Sequence, residues 1–452
     1  MSRSPSSDQD HSSAVSRRSF LGKSAGLAAG AMAVSGLARM VHAAGSETIK
    51  VALIGCGFRG TGAATQVLST TGPVKLWAMA DVFEDRIEKS LKALSQGDEA
   101  TYEREKHHGF AAKIDVPPER RFVGFDAYKQ AVDCGVDMVL LTTYPHFRPI
   151  HFEYAVAKGK HVFMEKPVAV DAPGIRQLLA AADEAKRKNL KVGVGLQRHH
   201  HRIYEETVKR IHEGAIGEPV LMRCYWNSPF GKGPGQCPPG MTEMQHQLRD
   251  PYCFAWLSGD HIVEQHVHNL DVCYWINGKT PQSAQGLGGR QWRNGRSDGD
   301  IFDHHAVEFT YADGSKMFSQ CRHIPDCWNS VTEYVLGTKG TAEVHAGKVD
   351  GANGKWRFRG ASANPYQVEH DRLMDAILND KPHNEAHNGA TVTMIAILGR
   401  MATYSGQVTG WDEALKSNVR LAPDRYAWDA RPPAMPVNGA YPCAIPGVTK
   451  VL

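Results

Sequence analysis

The sequence predicts an α/β protein of two domains. A parallel sheet with helical crossovers comes first, and an α+β domain on an open, mostly antiparallel sheet follows. Three observations predict it. Short apolar strands and amphipathic helices alternate from Ile49 to Leu196. A G-x-G-x-x-G stretch, Gly55-Cys56-Gly57-Phe58-Arg59-Gly60, follows the first apolar run directly. Beyond Gln197 the runs become longer, alternating and separated by turn signals.

The chain has 452 residues, enough for two packed domains, and its 42% hydrophobic content is that of an ordinary soluble core. With 52 Lys and Arg against 48 Asp and Glu, the net charge is +4, a balance that argues against nucleic acid as the main partner. Residues 1–15 are polar and Ser-rich; Arg17-Arg18 then precedes a weakly apolar run from Ser24 to Val41, and Val41-His42-Ala43 fits a cleavage site. This pattern reads as a twin-arginine export signal over residues 1–44, which places the mature protein in the periplasm or otherwise outside the cytoplasm. The run is too rich in Gly and Ala to favour a stable membrane anchor. The nine cysteines are irregularly spaced without a C-x-x-C pair, so neither a zinc ribbon nor a dithiol redox site is expected, and no metal ligand is assigned.

The elements follow in order. Lys50 to Ile54 reads as a strand and Phe58 to Thr70 as a helix. Val74 to Ala80 is a second strand, and Glu84 to Leu94 a helix with acids in its first turn. Residues 98–120 are charged and aperiodic, a surface excursion. Strands at Val136 to Thr142, His161 to Met164 and Lys191 to Leu196 alternate with helices at His151 to Lys158 and Ile175 to Lys188. The first domain thus covers 48–196 and the second 197–425. In the second, a helix at Arg202 to Glu213 precedes strands at Pro219 to Asn227, Ala306 to Tyr311, Lys316 to Arg322 and Ser330 to Leu336. Ala312-Asp313-Gly314-Ser315 is a hairpin turn between two of these. Residues 228–251 read as a long loop, His261 to Ile276, Val368 to Asn379 and Ala390 to Tyr404 as helices, and 426–452 as a Pro-rich tail over the surface.

The glycine stretch lies between a strand and a helix, the setting in which it binds a dinucleotide. Gly55 permits the tight turn, Gly57 lets the backbone approach a pyrophosphate, and Gly60 allows close helix–strand packing. The free N–H groups at the start of the helix, at Phe58 and Arg59, face the phosphates. Asp81 ends the second strand about 20 residues beyond Gly60, where a carboxylate accepts bonds from a ribose 2′-hydroxyl. It would repel a 2′-phosphate, and Val82 and Phe83 bring no cation, so the expected cofactor is NAD.

Gly159-Lys160-His161-Val162 and Glu165-Lys166-Pro167 form the most specific stretch, a strand ending at the carboxyl edge where open α/β sheets bind ligands. Lys166 is placed over the nicotinamide, in position to exchange a proton with a hydroxyl during hydride transfer. With these residues the chain resembles the Gfo/Idh/MocA oxidoreductases over essentially all of 48–405. The resemblance implies a Rossmann domain followed by the open-sheet domain, and activity on sugars, inositols or related polyols. It implies that Thr143, Tyr144, Pro145 and His146 line the nicotinamide side. It also implies that Glu165 and Lys166 touch the cofactor, that Lys166 touches substrate too, and that the protein forms a homo-oligomer through the open sheet.

The stretch His261-Ile262-Val263-Glu264-Gln265-His266-Val267-His268-Asn269-Leu270-Asp271 supplies the remaining chemistry. On one helix Glu264 and His268 share a face, with His261 and Gln265 beside them. The family pattern here is Asp-x-Gly-x-His-x-x-Asp. His268 matches its catalytic histidine and Asp271 its last acid, while Glu264 and His266 replace the usual Asp and Gly. His268 is therefore expected as acid/base, with Lys166 and Glu264 completing the catalytic set. Gln197, Arg198 and His199 after the last Rossmann strand, Tyr225 and Asn227 ending another, and His261, Gln265, His305 and Arg322 are expected to bind a sugar's hydroxyls and apolar face. The leading expectation is an NAD-dependent sugar or polyol dehydrogenase. An exported glycoside hydrolase that keeps and recycles NAD is the second, and a non-catalytic sugar- or metal-binding protein the third.

Overall fold

The computed structural model describes residues 48–97, 107–230, 233–293, 295–296 and 298–452. The export signal expected at 1–44 lies outside the described residues. No helix among the described residues is long and apolar enough to cross a membrane.

A six-stranded sheet is formed by β1 (Ile49–Ile54), β2 (Val74–Asp81), β3 (Arg121–Val123), β4 (Met138–Leu141), β5 (His161–Met164) and β6 (Val192–Val194), in the order β3-β2-β1-β4-β5-β6. Every pairing is parallel. Helices cover both faces, which is why the inner strands read as unbroken apolar runs. Alternate residues serve opposite layers. Val51, Leu53, Leu76 and Phe163 pack with Ala63 and Val67 of α1 (Phe58–Ser69). Ala52, Ile54, Val139 and Met164 pack with Phe152 and Ile175 on the other side.

The second sheet has nine strands. Its centre is β7 (Pro219–Asn227), flanked by β10 (Lys316–Arg322) and β11 (Ser330–Gly337). Only the β7–β10 contact is parallel; the others are antiparallel. The hairpin at Asp313-Gly314 joins β9 (His304–Thr310) to β10 as expected, with Gly314 at φ +83°. One face, with Met222, Cys224, Phe309 and Cys321, packs on Leu270, Cys273, Ile395 and Leu398 of the covering helices. The other exposes Leu287, Phe318 and Leu336.

Three features differ from expectation. β8 (Ser283–Gly289) is a strand despite three glycines, because Gly286 and Gly288 pack where a Cβ would meet the Ala306 and His304 carbonyls at 2.5 and 2.9 Å. The helix expected at His261 to Ile276 is broken into His261–Glu264 and Val267–Asn277. There the His266 N–H bonds back to the His261 carbonyl at 3.1 Å, a wide turn, and the His266 ring is drawn to Ser319 Oγ at 2.7 Å. Finally, the expected loop at 228–251 holds a capped helix, Glu243–Arg249, with a reciprocal Thr242–Gln245 box. Met244, Leu248, Phe254 and Trp256 from this region join Ala430, Ala434 and Tyr441 of the tail and Phe83 and Phe147 of the Rossmann domain in a third core. The tail therefore packs rather than merely wrapping. All nine cysteines are free thiols.

Candidate active site

A cavity of about 480 Å³ lies at the carboxyl edge of the parallel sheet. Gly57, Gly60, Asp81, Thr143, Glu165 and Lys166 line it from the strand exits, and Glu264 and His268 from the second domain. Ligands of open α/β sheets bind at this edge, where the strand order reverses direction beside β1.

The glycine turn fits a dinucleotide. Gly55 sits at φ +100°, and a Cβ there would lie 2.6 Å from Thr143 N. A Cβ on Gly60 would lie 1.9 Å from the Gly55 carbonyl, so the helix start packs on the turn as only glycine permits. Gly57 has nothing within 4 Å on its Cβ side among the described residues, which leaves open space beside the uncapped N-terminus of α1 for a pyrophosphate.

Asp81 accepts bonds from Cys56 N at 2.7 Å and Phe83 N at 3.0 Å. Burial raises its pKa, against the pull of the Arg86 guanidinium. The sequence shows no cation immediately after this acid, yet Arg86 lines the cavity and donates to Tyr144 Oη at 2.6 Å and to the Leu248 and Arg249 carbonyls. Arg86 stands in the first turn of the helix Glu84–Gln96, and nothing in its local spacing marks it as facing the cavity. Phe58 and Arg59 also line the cavity. Arg59 Nε bonds Glu165 Oε1 at 2.6 Å, Nη1 bonds Gln66 at 3.0 Å, and the guanidinium lies 5.1 Å from the Tyr366 ring centre. Glu165 is thereby held at the edge of the cavity.

Of the residues expected on the nicotinamide side, Thr143, Tyr144 and Pro145 line the cavity. His146 does not. It is buried against Tyr426 Oη at 2.8 Å, and burial pushes its pKa down to about 3. A histidine further along the same segment, His151, lines the cavity instead and lies 3.2 Å from Thr143 Oγ1.

Lys166 Nζ donates to the Glu264 carbonyl at 2.5 Å and to Glu264 Oε1 at 3.0 Å. The break after Glu264 brings both acceptors to one ammonium. His268 is buried in the cavity wall beside Trp226, with ring centres 6.1 Å apart, and its Nδ1 has no hydrogen-bond partner among the described residues. Burial, then Lys166, Arg198 and Arg59, hold its pKa well below the usual value, so its imidazole is neutral.

The residues expected to bind sugar are placed elsewhere. Gln197 bonds Tyr366 Oη at 3.2 Å, and only Tyr366 reaches the cavity. Arg198 is buried against Glu333, and His199 bonds Asp271 at 2.9 Å. Asn227 is buried 3.5 Å from Gln320, and Tyr225 stands by Trp328 and Tyr334 on the sheet. Gln265 bonds His323 at 2.6 Å, and Arg322 bonds the Trp328 carbonyl. His261 and His305 gather around Asp260, with ligand-type atoms within 4.8 Å of one another. Both Asp260 oxygens are already engaged there, Oδ1 by the His261 main-chain and ring nitrogens and Oδ2 by Phe302 N and Tyr404 Oη. Polar side chains at strand ends pair with one another across the second domain, an outcome decided by tertiary neighbours. The cavity is instead closed by Leu248, Arg249, Pro251 and Tyr252, in and just beyond the segment expected to be a loop.

The fold and this cavity define an NAD-binding Rossmann domain joined to an open-sheet domain that closes the cleft. Residues 49–195, about a third of the chain, match the GFO_IDH_MocA family model, the oxidoreductase family with an NAD-binding Rossmann fold. An inositol 2-dehydrogenase from Ralstonia nicotianae is 26% identical over 283 residues, 61% of this chain and 69% of the relative. One from Klebsiella pneumoniae is 35% identical over 178 residues, 38% of this chain and less than half, 45%, of the relative. Among solved structures, scyllo-inositol dehydrogenase from Lactobacillus casei, with bound NAD(H) and scyllo-inositol, aligns with TM-score 0.60 at 19% identity, covering 81% of this chain and 99% of that one. Aldose-aldose oxidoreductase from Caulobacter crescentus aligns with TM-score 0.60 at 16% identity, covering 80% and 99%. These likenesses at low identity are likenesses of fold.

Proposed function

We propose that the protein is an NAD-dependent dehydrogenase of polyols, with inositols and sugars as the substrate class. The observation that carries this reading is the meeting of Lys166, from the Rossmann domain, with Glu264 and His268, from the second domain, in the cavity that also holds the glycine turn. Bound NAD supplies the acceptor for a hydride from a carbinol carbon. Lys166, oriented by the two oxygens of Glu264, exchanges the hydroxyl proton. His268, neutral in its buried setting, makes one hydrogen bond to the reacting hydroxyl and excludes water from that side. The dehydrogenase relatives, including those named for inositol, support the substrate class.

Lys166→Met tests the assignment. NAD binding is expected to stay nearly intact while turnover falls by roughly a hundredfold or more. Unchanged turnover with an inositol and sugar panel would remove Lys166 from the chemistry.

A second reading, a glycoside hydrolase that retains its NAD, differs from the first in its net reaction. Net NADH accumulation with free polyol supports the first reading; release of nitrophenol from a glycoside without NADH supports the second. Export through residues 1–44 and pairing of two chains through the open sheet, where Leu287 and Phe318 are exposed, belong to the same proposal. Fractionation of cells and light scattering of the purified protein test them.

A further inference from the structure

Arg148 is a buried cation in the cavity wall. It is 4% exposed, at the first turn of the helix Arg148–Ala157. Its Nη1 donates to the Pro167 carbonyl and its Nη2 to the Thr143 carbonyl at 2.7 Å. Its Nε is buried and has no hydrogen-bond partner among the described residues. Two carboxylates act on it electrostatically, Glu165 and Glu264. Each is already paired, Glu165 with Arg59 at 2.6 Å and Glu264 with Lys166 at 3.0 Å. The other lining cations have carboxylate neighbours as well: Arg249 lies 2.7 Å from Asp85, and Asp81 acts on Arg86. Two carbonyl oxygens, and carboxylates already paired with other cations, offset only part of the cost of burying a guanidinium, which an anion of its own completes.

The position of Arg148 says which ligand brings that anion. The pyrophosphate place is the glycine turn after β1, and Asp81 at the end of β2 marks the ribose on one side of it. Arg148 is bonded to the exits of β4 and β5, on the other side of β1 in the sheet order. That is the nicotinamide and substrate side, with Lys166 immediately before Pro167. The nicotinamide of NAD⁺ is itself cationic, so an unpaired guanidinium beside it is unfavourable until a negative group enters. The free Nε–H lies on the edge of the guanidinium that carboxylates take side-on.

We propose that Arg148 is a carboxylate subsite and that the preferred substrate is a sugar acid, a uronate or aldonate, rather than a neutral polyol. This rests on the dehydrogenase reading and narrows it. The carboxylate binds at Arg148 while a hydroxyl of the same molecule reaches Lys166 and His268. No bond to Arg148 forms or breaks; it orients the substrate and balances charge.

The test uses full-length protein loaded with NAD and paired substrates: glucose with glucuronate, galactose with galacturonate, and a hexose phosphate. For the acids kcat/KM is expected to exceed that of the neutral partners by roughly ten- to a hundredfold, the worth of a charge-assisted hydrogen bond. Arg148→Gln is expected to abolish the preference and Arg148→Lys to restore part of it. Equal or better use of the neutral sugars overturns the proposal, as does a preference that survives in Arg148→Gln. Preference for the hexose phosphate over both acids overturns the carboxylate assignment. If Arg148→Gln does not fold, the wild-type pairs decide alone. If nothing is oxidised, the dehydrogenase reading fails, and the subsite is judged separately by whether glucuronate raises the melting temperature of the NAD-loaded protein more than glucose does.

Discussion

Asp81 shows how a single carboxylate ties a turn while standing in the cavity wall. Its two oxygens take the main-chain N–H groups of Cys56 and Phe83, which fixes the glycine turn against the end of β2. Asp81→Ala removes both acceptors and, on the dehydrogenase reading proposed above, the ribose contact. NAD affinity is expected to fall and the preference for NAD over NADP to shrink, because Arg86 then stands without its acidic neighbour. Fluorescence titration with both coenzymes checks this; unchanged affinity and selectivity would contradict the ribose assignment. Lys166 was legible in the sequence because Glu-Lys-Pro follows a strand in a fixed register. Arg86 and Arg148 were not, because an arginine on a helix has no spacing that by itself distinguishes a cavity wall from a solvated face.

Among the elements, the turn from β1 into α1 is the most constrained. A Cβ on Gly60 would meet backbone, the Gly55 carbonyl at 1.9 Å, so no side chain can move aside. Gly60→Ala is therefore expected to displace the start of α1 and to abolish NAD binding, measured by titration, while far-ultraviolet circular dichroism keeps the α/β signature. The helix predicted over His261 to Ile276 teaches the opposite lesson. Its apolar stripe is real, since Val263, Val267 and Leu270 are all buried. The period of that stripe does not reveal the wide turn at His266, which depends on Ser319 from a distant strand. The break is what turns the Glu264 carbonyl toward Lys166.

At the scale of the whole molecule, buried histidines set the response to acid. Burial pushes His146 and His151 down to about 3 and His305 to about 4. In the unfolded chain these rings titrate near ~6.5. Between about pH 4 and 6.5 the native state thus binds fewer protons than the unfolded state, and stability falls as the pH falls, by up to about 1.4 kcal/mol per pH unit for each ring. Asp300, raised by burial to about 7, works in the other direction between about pH 4 and 7. The three rings outnumber it. Urea unfolding at about pH 7, 6 and 5 is expected to show a steady loss, and Asp300→Asn to make it steeper; stability that rises on acidification would contradict the assignment.

The sequence by itself determined the alternation of strands and helices, the dinucleotide turn with its acid, and the placement of Lys166, because these depend on local periodicity and on residues a few positions apart. The tertiary structure alone decided which polar groups reach the cavity. His261, His305, Arg198 and His199 are drawn into pairs within the second domain, while Arg148, Tyr252 and Leu248 line the cleft. The physical reason is that burial of a polar side chain is settled by the partner it finds, and that partner is brought by chain far away in the sequence, as Asp85 is for Arg249 and Tyr426 for His146.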